Sequence, residues 1–193
     1  MSINQSLPTG PRAAEGYRIL QFLGGTPLTV PENACRGCVM NALEAELPKL
    51  LAPVYDDGTI TVRQDAEWAV PGFMVVAVRP HLGGVDQMDL PLVHRLATVT
   101  HFVRRAMRTE LGLAAVQTYQ EDKLDRPHYH AWMLPLWPQM MVRHQINPRI
   151  YESNIARYLS LFTLAEHEAQ IRVSARCIGA YLDQVPELRA PHA

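Results

Sequence analysis

Residues 128–135 read His-Tyr-His-Ala-Trp-Met-Leu-Pro, and this alternation constrains the fold more than any other stretch of the chain. Side chains along a strand alternate between two faces with a period of two residues. His128, His130 and Trp132 therefore share one face, and Tyr129, Ala131 and Met133 take the other. Two imidazoles held side by side on a rigid element suit metal binding, nucleophilic catalysis, or one of each.

The surrounding pattern supplies the rest of a sheet. Residues 18–22 read as a short strand before Gly24-Gly25, residues 59–63 as a strand rich in β-branched side chains, and residues 73–78 as a continuous apolar run suited to a central strand. Residues 31–38 read as a loop, and residues 41–51 show helical spacing through Leu43, Leu47 and Leu50. Asp89 can cap a long helix over 90–111, with Leu92, Leu96, Val99, Val103 and Ala106 on one stripe and Gly112 as its stop. Residues 114–120 alternate as a strand, residues 121–127 are a polar connection, and helices over 152–162 and 165–182 close the chain. Strands in series, one long helix between them and a helical tail predict an antiparallel α+β domain.

Bulk properties narrow the partners. At 193 residues the chain fits one domain with a core of its own. A formal net charge of -1 argues against a nucleic-acid surface built on bulk positive charge. The first six residues, Met1 to Ser6, lack a basic region followed by an apolar run, so no signal peptide is expected. No apolar stretch approaches the roughly 18 residues of a membrane span, so no membrane partner is expected. With three cysteines there is no disulfide framework, and the expected location is cytoplasmic.

Cys35-Arg36-Gly37-Cys38 forms a C-x-x-C pair. By itself it is a zinc half-site, a redox pair or two ordinary cysteines. No second C-x-x-C follows, so a zinc site needs histidines to reach four ligands. The chain has eight, among them His81 after the apolar strand and His128 at the head of the paired-histidine strand.

In the ordered series of its motifs the chain resembles the histidine-triad (HIT) superfamily, whose fingerprint is H-x-H-x-H followed by apolar residues. His128-Tyr129-His130-Ala131-Trp132-Met133-Leu134-Pro135 carries that likeness. Upstream, the stretch from Asp65 through the Pro71-Gly72 turn and the apolar strand to Arg79-Pro80-His81 follows the family layout, and Cys35 and Cys38 sit where its zinc-bearing branch has a C-x-x-C. The resemblance implies a HIT-like antiparallel sheet over residues 33–137, a leader over 1–32 and a C-terminal helical extension over 138–193 packed on the same domain. It implies a structural zinc held by Cys35, Cys38, His81 and His128. It implies that His130 is a nucleophile toward the α-phosphate of a nucleotide or nucleotide conjugate, through a covalent nucleotidyl-histidine. Asp65 is then expected to accept hydrogen bonds from ribose hydroxyls, Trp68 to border the base, and the chain to form a homodimer.

Two departures shape the expected activity. Trp132 replaces the third motif histidine, and an indole cannot exchange a proton at useful pH. General acid catalysis typically contributes about 10²–10⁴-fold, so simple hydrolysis is expected to be slowed by about that much. The galactose-1-phosphate uridylyltransferase-like branch also replaces this histidine, there with glutamine, and passes the nucleotidyl group to a phosphate; Pro127 is similar to that branch as well. The second departure is Glu121 to Arg126, where most hydrolases carry Gly-Gln and a Ser or Thr; Lys123 and Arg126 are the cations left to meet a phosphate. The readings that stand are a nucleotidyl hydrolase or transferase working through His130, a binding or accessory protein that keeps the zinc with Trp132 filling the old phosphate site, and a site rebuilt for other chemistry.

Overall fold

Burial alternates along Met74–Val78, with Met74, Val76 and Val78 fully buried and Val75 and Ala77 partly open, so this central strand has one face on a core and the other over an open site. The computed structural model describes residues 14–120, 124–146 and 152–189. A hairpin of β1 (Tyr17–Leu20) and β2 (Leu28–Pro31) comes first, followed by α1 (Arg36–Ala42) and two 3-10 turns at Glu44–Glu46 and Lys49–Leu51. The main sheet contains β3 (Tyr55–Asp56), β4 (Ile60–Gln64), β5 (Met74–Val78), β6 (Ala115–Gln120) and β7 (His130–Leu136). Its order is β3-β4-β5-β7-β6 and every pairing is antiparallel. The long helix α2 (Leu90–Glu110) joins β5 to β6, and α3 (Pro138–His144), α4 (Glu152–Leu159), α5 (Leu164–Leu182) and α6 (Pro186–Arg189) follow.

Local chemistry fixes these bounds. Asp89 caps α2 by accepting the Leu92 N–H at 2.9 Å, and Pro lies in the helix's first turn, where a missing N–H costs nothing. Gly112, at φ +64, ends it in a conformation that side chains rarely adopt. The buried stripe Leu96, Val99, Val103, Ala106 and Met107 lays α2 on the face of the sheet that presents Ile60, Val62, Met74, Val76 and Met133. Ile178, Leu182 and Leu188 from α5 and α6 join this core. Arg95 of α2 ties α6 down, donating from Nη1 to the Glu187 carbonyl at 2.7 Å and from Nη2 to the Leu188 carbonyl at 2.9 Å.

The sequence expectations differ from the structure at several points. The helix expected over 41–51 is instead the end of α1 and two 3-10 turns, because Pro48 cannot donate to a continuing ladder. The loop expected over 31–38 ends early: Cys35 is the N-cap of α1 and Cys38 lies within the helix. The hairpin lies inside the segment expected as a leader, and Leu20, Phe22 and Val30 form a core of their own with Leu47, Leu51 and Ala66; residues 1–13 fall outside the described residues. Strand β7 starts at His130, so His128 precedes the ladder instead of sharing its face. Among the described residues no helix is long and apolar enough to cross a membrane.

Candidate metal centre and adjoining cavity

The antiparallel pairing of β5 with β7 brings the segment after β5 beside the segment before β7. His81 and His128 occupy those two segments, with ring centroids 5.6 Å apart. The first turn of α1 completes the group. Cys35 Sγ lies 3.3 Å from His128 Nδ1, Cys38 Sγ 3.6 Å from the same nitrogen, and Cys38 Sγ 3.3 Å from His81 Nδ1. One ligand atom from each of the four residues lies within 4.8 Å of all the others. Tetrahedral bonds of about 2.0–2.3 Å to nitrogen and sulfur imply ligand separations of roughly 3.3–3.8 Å, so the donor set fits a four-coordinate ion.

The surroundings prepare each donor. His128 Nε2 lies 2.7 Å from the Val78 carbonyl, and a backbone carbonyl only accepts, so Nε2 carries the hydrogen and the lone pair of the neutral ring lies on Nδ1, toward the thiols. Burial, reinforced by His81 and His130, lowers the His128 pKa and favours that neutral, ligating form. Burial and the neighbouring Cys35 raise the Cys38 thiol, the opposite of what a bound cation does to a coordinating sulfur. Gly37 lets the first turn of α1 close on the ring, because a Cβ there would stand 2.6 Å from His128 Cγ.

The cavity opens on the sheet face opposite α2. Register sets its floor in two rows: Thr61, Ala77 and His130 in one, Arg63, Val75 and Trp132 in the other. The small side chains of Val75 and Ala77 keep the middle low. Arg36, Met40, Asp65, Glu67 and Arg126 stand round it, and Cys35 and His128 form a wall shared with the four-ligand cluster. Its empty volume is about 790 Å³ with the mouth included, within the range of small-molecule sites. His130 Nδ1 lies 2.8 Å from the His128 carbonyl. In the neutral ring the hydrogen is thus on Nδ1 and the lone pair on Nε2. The Trp132 ring meets the His130 ring edge-on, with centroids 5.0 Å apart.

Neither a protein-family model nor a curated protein matches the chain. Solved structures do. A Zn-bound histidine triad family protein from Mycobacterium smegmatis superposes with a TM-score of 0.53 at 18% identity, covering 78% of this chain and 96% of that one. A hypothetical histidine triad nucleotide-binding protein from Sulfolobus tokodaii gives 0.54 at 15% identity, covering 81% and 100%. A Hit-like protein involved in cell-cycle regulation from Bartonella henselae gives 0.50 at 12% identity, covering 73% and 92%. The chain has the histidine-triad fold.

On this histidine-triad fold the structure gathers Cys35, Cys38, His81 and His128 at one point and sets His130 and Trp132 on the cavity floor. Asp65 is 5% exposed; its Oδ1 accepts the Glu67 and Trp68 N–H groups at 2.9 and 2.8 Å, and burial pushes its pKa up to about 6. Arg126 stands at the rim, paired with Asp125 and with the Glu32 carbonyl. Trp68 is 37% exposed and outside the cavity lining, since the Asp65 turn carries it away. Lys123 lies outside the described residues. Sequence reasoning missed Thr61, Arg63 and Arg36 as lining residues. The alternation of Thr61, Val62 and Arg63 carried a signal for the first two, had its polar side been assigned to the site; nothing in the sequence pointed to Arg36.

Proposed function

We propose that this chain belongs to the zinc-bearing branch of the HIT superfamily and is a nucleotidyl hydrolase or transferase acting on a nucleotide phosphoester or phosphoanhydride. The observation that carries the reading is the paired state of its two imidazoles. His128 turns its lone pair toward two thiols, and its carbonyl holds the Nδ1 hydrogen of His130, which puts the nucleophilic lone pair of that ring on Nε2. The Zn-bound and nucleotide-binding descriptions of two structural relatives support it.

Cys35, Cys38, His81 and His128 would hold the zinc. Four protein ligands close the coordination sphere, so the ion would supply a clamp between α1 and the ends of β5 and β7, with no role as a Lewis acid. His130 Nε2 donates its lone pair to the α-phosphorus, a P–N bond forms, and the bond to the leaving oxygen breaks with its electron pair. The His128 carbonyl stabilises the positive ring through Nδ1–H. Water or an acceptor phosphate then attacks phosphorus and returns the pair to Nε2. Trp132 offers no transferable proton. Leaving groups that depart as stable anions are therefore favoured, and transfer to a phosphate, as in the galactose-1-phosphate uridylyltransferase-like branch, is favoured over phosphoramidate hydrolysis. Asp65 would accept from ribose hydroxyls, with Arg126 and Lys123 near the phosphates. The HIT-like portion is assigned to residues 33–137 and the extension to 138–193, and the active form is proposed to be a homodimer.

The close contact of Trp132 with His130 favours one second reading, a binding or accessory protein that keeps the metal and has lost turnover. Incubation with a donor radiolabelled at the α-phosphate separates the two. An acid-labile label on the wild type, absent from His130→Ala at unchanged metal content, is the expected result. A protein that binds nucleotide and never takes label is an accessory protein. Loss of metal from His130→Ala would instead mark a rebuilt, metal-dependent site.

A further inference from the structure

Arg63 is a cation where an apolar side chain would fill the space without electrostatic cost. It sits within β4, every residue of which is buried, and is 4% exposed. Its Nη2 donates to Glu44 Oε2 at 3.1 Å. Its Nη1 is buried and has no hydrogen-bond partner among the described residues. A buried donor left unmet carries a desolvation penalty that the fold itself does not return. The same side chain lines the cavity, so a ligand there that draws the guanidinium round toward it is the natural source of the missing acceptor.

Register shows which part of a ligand this would be. Arg63 stands in one row with Val75 and Trp132, two strand spacings or roughly 10 Å from the latter. Asp65 follows two residues later, just past the end of β4, and lines the same cavity. Under the function proposed above, on which this inference rests, phosphate meets His130 and ribose meets Asp65. The base is the part left to reach Arg63.

The local charges indicate what the base must carry. Glu44 Oε2 also accepts from Arg79 at 3.0 Å, and Arg79 pairs with Asp56 as well, so two guanidinium groups are compensated by two carboxylates. Asp65 and Glu67 also line the cavity, Glu67 paired with Arg36 at 2.7 Å. With the cations near Arg63 already matched by acids, a neutral carbonyl oxygen satisfies Nη1 without adding charge.

We infer that Arg63 determines base specificity by donating to a carbonyl oxygen, so that the site selects 6-oxopurine nucleotides over adenine nucleotides. A guanidinium can only donate, and the 6-amino group of adenine is itself a donor, so adenine sets two donors against each other.

Inosine and adenosine 5′-monophosphates differ at the purine 6-position and make the decisive pair. Calorimetric titration of the metal-loaded wild type should favour the inosine nucleotide by about ten- to a hundredfold, the effect of one hydrogen bond to a charged donor. Arg63→Met should lower inosine nucleotide affinity to that of the adenosine nucleotide, with bound metal unchanged. Arg63→Lys, which keeps a charged donor on a shorter reach, should fall between. If Arg63→Met does not fold, the wild-type ratio and Arg63→Lys decide. Equal binding of the two nucleotides by the wild type, or a ratio untouched by Arg63→Met, overturns the inference and leaves the nucleotide site standing. Binding of neither overturns both.

Discussion

The strongest residue-level consequence comes from Asp65. Its folded pKa is raised from 3.8 to about 6 by burial, so the folded state holds this proton more tightly than the unfolded chain does. The contribution of Asp65 to stability is therefore fully present below about pH 4 and is lost as pH rises toward 6, amounting to about 2–3 kcal/mol. Urea unfolding of wild type and Asp65→Asn across that window should show the wild type losing ground to the variant, and parallel curves would sink this account. Under the proposed function the same ionisation has an opposite sign for ligand, since a carboxylate accepts two ribose hydroxyls better than a carboxylic acid does. Fluorescence titration should show nucleotide affinity falling as pH drops below about 6, and that fall should vanish in Asp65→Asn.

Among the elements, α1 carries the most information per residue. A methyl group at position 37 would overlap the His128 ring, with its nearest approach 2.6 Å to backbone-anchored ring carbon. Gly37→Ala should lower metal affinity by about 10–100-fold, the size of effect seen when ligand orientation is lost, as read by competition with a chromogenic chelator. Full metal retention would show that the ring can move aside. A second element-level test lies at the other end of the fold. Arg95→Met leaves Asp57 and two α6 carbonyls without their cationic donor, and should cost about 2–4 kcal/mol in urea unfolding. The sequence exposed the long helix and the strands β4 to β7, because each rests on local periodicity, whereas the grouping of the four thiol and imidazole residues came from the resemblance to the HIT superfamily. It did not expose α1 starting at the first cysteine, since a C-x-x-C segment with one glycine reads locally as loop. Nor did it expose α3, although the Trp137-Pro138 start was available as a helix signal. The contact between Arg63 and Glu44 was out of reach too, because nothing in either segment names its partner across 19 residues.

For the molecule as a whole, the four-ligand cluster joins parts of the chain far apart in sequence: Cys35 and His128 are 93 residues distant. An ion held there closes a long loop and links the hairpin side of the molecule to the main sheet, so zinc is expected to stabilise by both coordination and lost chain entropy. Purified protein should carry about one zinc per chain by elemental analysis. A strong chelator should lower the melting temperature, Zn²⁺ should restore it, and Ca²⁺ should not, because soft thiolates discriminate against hard oxygen-seeking cations. A melting curve indifferent to chelation would leave the four donors as an unused constellation. The C-terminal helices are part of the same folded body: Ile178, Leu182 and Leu188 belong to the core under α2, so removing residues 164–193 strips a wall from it.

A single peptide unit, that of His128, faces both ways: its ring looks toward the sulfurs and its carbonyl steadies the neighbouring imidazole. Under the proposed chemistry, transition-metal supply and catalytic competence converge on one residue. Oxidants that convert the two sulfurs to a disulfide, or cells starved of zinc, would then silence turnover with the substrate chamber left in place.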